Sequence, residues 1–248
     1  MNFKDHFSQH ADAYARFRPA YPAALFEYLA GIARAREFAW DCATGNGQAA
    51  LALVPYFAQV LATDASVEQI RHAQPQARVT YAVASAESVP VPSASVDLVT
   101  VAQALHWFDF ERFYDEARRV LKPNGVLAAW GYGLNAVERD VDAVVDRYYR
   151  EIVGPYWPPE RRYLDDRYAT IPFALPEIMA PAFRMEASWD LHEFRGYLAT
   201  WSAGQRFERE RGRNPLELID DALRTTWGEA DRKRRVVWPV YLRVGRNQ

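Results

Sequence analysis

Asp41, Gly45, Gly47 and Asp64 are the residues of this 248-residue chain whose types and spacing most directly suggest chemistry. The two carboxylates bracket a small-residue loop, Asp41-Cys42-Ala43-Thr44-Gly45-Asn46-Gly47. Its glycines let the backbone turn tightly and approach a ligand where side chains would intervene. Residues 37–40 read as a strand that ends at Asp41, and residues 49–57 as the helix that follows. The N-terminus of that helix points at whatever the loop holds. Val60-Leu61-Ala62-Thr63 is a second apolar run with Asp64 at its end. Strand, glycine loop, helix, strand and terminal carboxylate form the first half of a nucleoside-binding α/β unit.

Two nucleosides fit the loop. Gly45-x-Gly47-x-x-Ala50 satisfies the dinucleotide pattern, with an acid about 20 residues downstream. The stretch from Asp41 to Gly47 also satisfies the S-adenosylmethionine (AdoMet) pattern, Asp-x-Gly/Ala-x-Gly-x-Gly, and Asp41 decides between them. A carboxylate at the mouth of the first strand repels a pyrophosphate, whereas the methionine part of AdoMet brings an ammonium that needs an anion. A nicotinamide oxidoreductase is further disfavoured because no Tyr-x-x-x-Lys pair is present.

The elements that must position these residues continue along the chain. Residues 65–73 read as a helix with Ser66 as N-cap, and residues 79–83 and 96–101 as the third and fourth strands. Residues 110–121 carry apolar side chains at helical spacing, giving one buried face. Lys122-Pro123-Asn124-Gly125 turns the chain into a fifth strand at 126–130. Further on, residues 137–152, 194–207 and 216–227 read as helices and 184–189 as a strand. Residues 236–244 form a terminal strand in which Pro239 suggests an edge or a bulge. The expected organisation is a lid segment at 1–35, a cofactor-binding half at 36–135, and C-terminal strands with helical cap insertions at 136–248, all in one compact domain.

Half of the residues are apolar and a quarter charged, as in a globular protein that buries one core. A formal charge of −2 gives no reason to expect nucleic acid or anionic membrane as partner. The basic run Arg232-Lys233-Arg234-Arg235 suits the cationic end of a helix. A single cysteine, Cys42, rules out an internal disulfide and any cysteine-based metal cluster, and fits a reducing compartment. No signal-peptide core or bilayer-length apolar run is present. The expectation is a cytoplasmic protein, monomer or homodimer, that uses no metal.

The chain resembles the class I AdoMet-dependent methyltransferases, and within them the trans-aconitate methyltransferase-like group. The resemblance rests on Phe7-Ser8-x-x-Ala11-x-x-Tyr14-x-x-x-Arg18-Pro19-x-Tyr21-Pro22, Asp41 to Gly47, Ser85-Ala86-Glu87, Ala102 to Phe108, Leu121-Lys122-Pro123-x-Gly125 and residues 189–207. It implies a Rossmann-like, doubly wound seven-stranded α/β sheet, mostly parallel with an antiparallel last strand, plus helical insertions forming a cap. It also implies AdoMet as cofactor and S-adenosylhomocysteine as product; its motifs do not specify the acceptor, and the expectation is methylation at oxygen, carboxylate or hydroxyl, of a small molecule. Asp41 would hold the methionine ammonium, partly through water, with the backbone of Ala43, Gly45 and Gly47 along the cofactor. Asp64 would accept the ribose hydroxyls, Ala86 and Glu87 would meet the adenine, and Gln103 would lie beside the sulfonium. Ala43 stands where glycine is commoner; alanine is small enough to leave the site intact.

The N-terminal segment reads both as an amphipathic helix packed on the domain and as a lid, with Tyr14 and Arg18 binding a carboxylate of cofactor or acceptor. His106 reads as a base for a hydroxyl acceptor or as part of the wall; His192 reads as a helix cap. Phe7, Trp107, Tyr197 and Trp201 are candidates for the acceptor pocket, core packing being the alternative. A non-catalytic AdoMet-binding module is the remaining rival.

Overall fold

The computed structural model describes residues 17–248. Phe7 and Tyr14, assigned above to pocket and lid, lie outside the described residues. One seven-stranded sheet runs through the molecule in the order β3-β2-β1-β4-β5-β7-β6. Its strands are β1 (Phe38–Cys42), β2 (Gln59–Asp64), β3 (Val79–Val83), β4 (Val96–Ala102), β5 (Leu121–Tyr132), β6 (Phe183–Trp189) and β7 (Arg234–Arg246). Strands β1 to β5 pair in parallel, and β7 runs antiparallel between β5 and β6. The strand order reverses at β1 and β4, so their carboxyl ends open the crevice where ligands of such sheets bind.

The packing explains the sequence of each layer. Strand β4, Val-Asp-Leu-Val-Thr-Val-Ala, is buried along all but its last residue because helices cover both faces. On one face lie helices α1 (Ala23–Ile32) and α2 (Gln48–Leu53), through Leu25, Phe26, Leu29, Ala50 and Leu53. On the other lies α4 (Phe110–Val120), which buries Phe113, Tyr114, Ala117 and Val120. Asp109 caps α4 by accepting from the Arg112 N–H at 3.3 Å, and Arg118 and Arg119 close its last turn, where the dipole favours cations. Helix α3 (Val67–Arg71) is shorter than the expected 65–73, and Ser66 does cap it.

At the amino edge of the sheet Asp97 is buried, accepting from the Glu37 and Phe38 N–H groups at 3.0 Å each and pairing with Lys122 Nζ at 2.9 Å. These bonds tie β1, β4 and the start of β5 together.

The second half departs from expectation in four places. Helix α5 (Arg139–Arg147) runs into a wider turn over Tyr148–Ile152 instead of continuing as regular helix, and the short helix α6 (Arg162–Asp165) follows. The expected helix at 194–207 is two helices, α7 (Leu191–Ala199) and α8 (Ser202–Arg211), separated at Thr200 and Trp201. The Thr200 hydroxyl donates to the Tyr197 carbonyl at 2.6 Å, competing with the helical ladder at the break. His192 is not the cap. Asp190 is, in a reciprocal capping box with Glu193, and the His192 ring packs edge-on against Phe17.

Strand β7, the fourth departure, is interior, although Pro239 suggested an edge. The Val237 N–H donates to Ala136 on the β5 side, and alternate residues of a strand point the same way. The Pro239 nitrogen therefore faces the gap between Tyr132, where the β5 ladder ends, and Ala136. A missing N–H costs nothing there.

Among the described residues, no helix is long and apolar enough to cross a membrane.

Candidate active site

Asp41 is the penultimate residue of β1, with none of its surface exposed. Its Oδ2 accepts from Thr44 Oγ1 at 2.5 Å and its Oδ1 from Thr100 Oγ1 at 2.7 Å. No cation pairs with it among the described residues, and burial pushes its carboxyl up to about 6 against the hydrogen bonds that lower it. Thr44 in turn anchors the loop to β2, its N–H donating to the Thr63 carbonyl at 2.8 Å. The loop is wound left-handed at Ala43 (φ 54°), Gly45 (φ 58°) and Gly47 (φ 92°). A Cβ on Gly47 would lie 2.5 Å from the Tyr81 hydroxyl, so that position needs glycine for space as well as for dihedral. Alanine at 43 is less neutral than its size suggests, because a left-handed non-glycine residue costs about 1–2 kcal/mol.

Asp64 closes the loop from the other side. Its Oδ2 accepts from the Gly45 N–H at 2.9 Å and its Oδ1 from the Ser66 N–H at 2.8 Å. The half-exposed apolar side chains of Val67 and Val83 flank this carboxylate, Val83 being its register partner on β3. Ala86 is buried, whereas Glu87 is engaged locally: it accepts from Ser85 Oγ at 2.5 Å and from the Asp109 N–H at 3.2 Å, and its own N–H donates to Ser85 Oγ.

Beyond the ends of β4 and β5 the chain encloses a cavity of about 80 Å³. Gln103, His106 and Trp107 line it from the segment that follows β4, Tyr132 and Leu134 from the end of β5 and just beyond, and Trp157, Arg161, Tyr197, Trp201 and Ser202 from the C-terminal half, with Arg18 reaching in from the N-terminal segment. One water position takes about 10–15 Å³ on this measure, so the cavity has room for roughly half a dozen such groups. That is the scale of a small molecule.

Gln103 is the junction. It is the one residue of the proposed cofactor set that enters the cavity from a strand end, and it does so from a left-handed backbone (φ 58°). Its N–H donates to the Trp130 carbonyl at 2.7 Å and its Nε2 to the Tyr132 carbonyl at 3.3 Å, which holds the strained turn.

His106 is buried in a short turn, Leu105–Trp107, with Nδ1 2.8 Å from the Tyr168 hydroxyl. Burial, aided by the Arg161 charge, pushes its imidazole down to about 3, so it stays neutral in this site. Arg18 Nη1 donates to the Tyr132 hydroxyl at 2.7 Å, and its guanidinium lies over the Tyr197 ring at 5.4 Å. Trp201, buried at the break between α7 and α8, packs in tilted and edge-on contacts against Tyr148, Tyr149, Trp157 and Tyr197.

Comparison with known proteins fixes the family. A family model described as a methyltransferase domain matches residues 40–129. The chain is 33% identical, over 99% of its length and 96% of the relative's, to a provisionally assigned methyltransferase of Dictyostelium discoideum. This chain belongs to the class I AdoMet-dependent methyltransferases. It is also 34% identical, over 74% of its length and 69% of the relative's, to an uncharacterised methyltransferase of Mycobacterium tuberculosis. A solved structure from Anaeromyxobacter dehalogenans, provisionally described as a type II methyltransferase, is 49% identical with a TM-score of 0.88, covering 93% of this chain and 98% of that one. The dinucleotide reading of the loop falls with this result.

Within the methyltransferase fold the sequence-derived residues divide in two. Asp41, Ala43, Gly45, Gly47 and Asp64 form one connected loop, with Ala86 and Glu87 in the turn that follows β3. Trp107, Tyr197 and Trp201 stand on the cavity wall with His106 and Arg18. Sequence reasoning missed Thr44 and Thr100, which hold Asp41, and Arg161 in the cap. Thr44 lay inside the motif and was legible there as a hydroxyl three residues after the acid. Nothing local marked Arg161.

Proposed function

We propose that this enzyme transfers a methyl group from AdoMet to an oxygen of a small-molecule acceptor, a carboxylate in preference to a hydroxyl. The observation that carries the reading is that the glycine loop after β1 and the cavity beyond β4 and β5 lie at the same carboxyl edge of the sheet, β1 pairing with β4, with a neutral His106 and the Arg161 guanidinium on the cavity wall.

The chain's donor set suits AdoMet. A Cβ on Gly45 would find only Gln69 Oε1, at 3.8 Å, so the backbone there is open to a ligand. Asp64 is acceptor-only at neutral pH and suits a ribose diol, while Val67 and Val83 offer an apolar wall for a purine. Asp41 is sealed behind Thr44 and Thr100, so it acts on the methionine ammonium through Thr44 and the loop backbone or through water. Gln103 lies where the methionine portion passes from loop to cavity. When bound, AdoMet supplies an electrophilic methyl on a sulfonium, displaced in line by the acceptor.

The residues of the chain align the acceptor and exclude water, which is most of what an in-line displacement requires. A base adds to the rate for a hydroxyl acceptor, but an imidazole held near 3 is a weak one. A carboxylate is already ionised at neutral pH and needs no base. His106 then serves as wall and as partner to Tyr168.

The test is transfer of labelled methyl from AdoMet to a metabolite extract, with identification of the product. A labelled methyl ester or ether supports the reading; label on nitrogen, carbon or sulfur alone refutes it. Single-turnover rates of His106→Ala at saturating AdoMet should lose no ionisation between pH 5 and 8. Loss of such a limb would make His106 the base after all.

A further inference from the structure

Among the described residues two arginines, Arg18 and Arg161, reach the cavity, and they are held differently. The terminal nitrogens of Arg18 are spent on the Tyr132 hydroxyl and the Thr200 carbonyl. Arg161 is fixed only through its stem side: Nε donates to the Tyr149 hydroxyl at 2.7 Å, and that hydroxyl donates on to Asp165 Oδ1 at 2.5 Å. Burial raises the Tyr149 hydroxyl, so it stays protonated in this relay. The guanidinium also lies over the Trp157 ring at 4.6 Å and the Tyr149 ring at 5.2 Å. Among the described residues its two terminal nitrogens meet no acceptor, although the side chain is only 19% exposed and lines the cavity.

A guanidinium with its plane fixed and its outer edge bare is a preorganised fork for a two-oxygen anion. Two rings and a hydroxyl have already removed its rotational freedom, so little more is lost on binding. Asp165 Oδ1, 3.7 Å from Nε, adds negative charge behind the fork and disfavours a dianion such as phosphate.

We propose that Arg161 is the residue that selects the acceptor: its two terminal nitrogens grip one carboxylate of a small monoanion whose apolar part lies along Trp157 and Trp201. The proposal rests on the acceptor reading above and adds to it a residue, a charge and a geometry. Arg161 is a positioning residue, acting on alignment without taking part in bond making.

The walls supply the readout, since Trp107, Trp157 and Trp201 line the cavity. Quenching of tryptophan fluorescence by benzoate, by its neutral isostere benzamide and by inorganic phosphate is measured on the full chain saturated with S-adenosylhomocysteine. Benzoate is expected to bind at least ~10-fold more tightly than benzamide, and phosphate more weakly than either. Arg161→Gln should erase the preference for benzoate while the affinity for S-adenosylhomocysteine stays within about 2-fold. Arg161→Lys keeps the charge and the packed stem, loses the fork, and should retain no more than about a third of the preference. It carries the test if the glutamine variant folds poorly. Equal binding of benzoate and benzamide by the wild type, an undiminished preference in Arg161→Gln, or phosphate binding as tightly as benzoate overturns the proposal. Failure to bind S-adenosylhomocysteine at all would instead sink the cofactor reading, so the two failures are distinguishable.

Discussion

Asp41 and Asp97 stand at opposite edges of the same sheet, and each is at most 3% exposed. At the amino edge Asp97 meets two backbone N–H groups and Lys122, so its charge is stabilised in every direction that burial has closed. At the carboxyl edge Asp41 meets two hydroxyls and the Ala50 backbone but, among the described residues, no cation, and burial pushes its carboxyl up to about 6. One carboxylate is fully satisfied by the fold. The other carries a desolvation cost that its hydrogen bonds only partly offset, which is what the proposed role toward a ligand ammonium requires. The same contrast separates Arg161 from Arg18 across the cavity.

Substitutions that reverse this contrast should have the largest effects. Asp97→Ala leaves two N–H groups without their acceptor and Lys122 with only the exposed Glu37 as partner, and should destabilise the protein by about 2–4 kcal/mol. Urea unfolding measures this, and AdoMet affinity of the folded protein should not change. A small loss of stability would remove the distinction between the two edges.

Asp41→Asn should do the opposite. The native state holds the Asp41 proton more tightly than the unfolded chain, with values of about 6 against 3.8. Stability therefore falls as pH rises through this window and stays lowered above it. A shift of about two units corresponds to about 3 kcal/mol, so the asparagine variant should be more stable than wild type by up to that amount at pH 8. The gap should close near pH 4. Its AdoMet affinity should fall at least ~10-fold in calorimetry. Greater stability with unchanged affinity would show that Asp41 is structural after all.

Asp64→Ala should weaken AdoMet by at least ~10-fold, through charge-assisted hydrogen bonds worth about 1.5–3 kcal/mol. Calorimetry showing equal affinity would remove the ribose role. The smallest effect is expected at Ala43→Gly. Relief of the left-handed alanine outweighs the added freedom of the unfolded chain by about 0.5 kcal/mol, read as a higher urea midpoint. A lower midpoint would mean that the methyl group packs to advantage.

The first half was legible because its parts are neighbours along the chain. Asp41, Gly45, Gly47 and Asp64 fall in one strand-loop-helix-strand unit, so their spacing in sequence is nearly their spacing in space. Strands β1 to β5 and helix α4 followed from periodicity, with errors at the ends. The second half was harder to read. The break at Thr200 and Trp201 lies inside a run with helical spacing, and only the packing of Trp201 against Tyr149 and Trp157 gives it a purpose. Pro239 marked a local gap in the ladder beside an interior strand, and sequence could not distinguish that from a true edge.

The sequence by itself determined the fold class, the strand-loop-helix-strand unit and the two acids that frame its glycine loop, since those depend on local turns and contiguous patterns. Only the tertiary structure decided that Asp41 is sealed and uncompensated, that His106 is neutral, and that Arg161 faces the same cavity as Arg18 and Gln103. Those properties depend on burial and on residues more than fifty positions apart, brought together by the sheet and the cap that folds over its carboxyl edge.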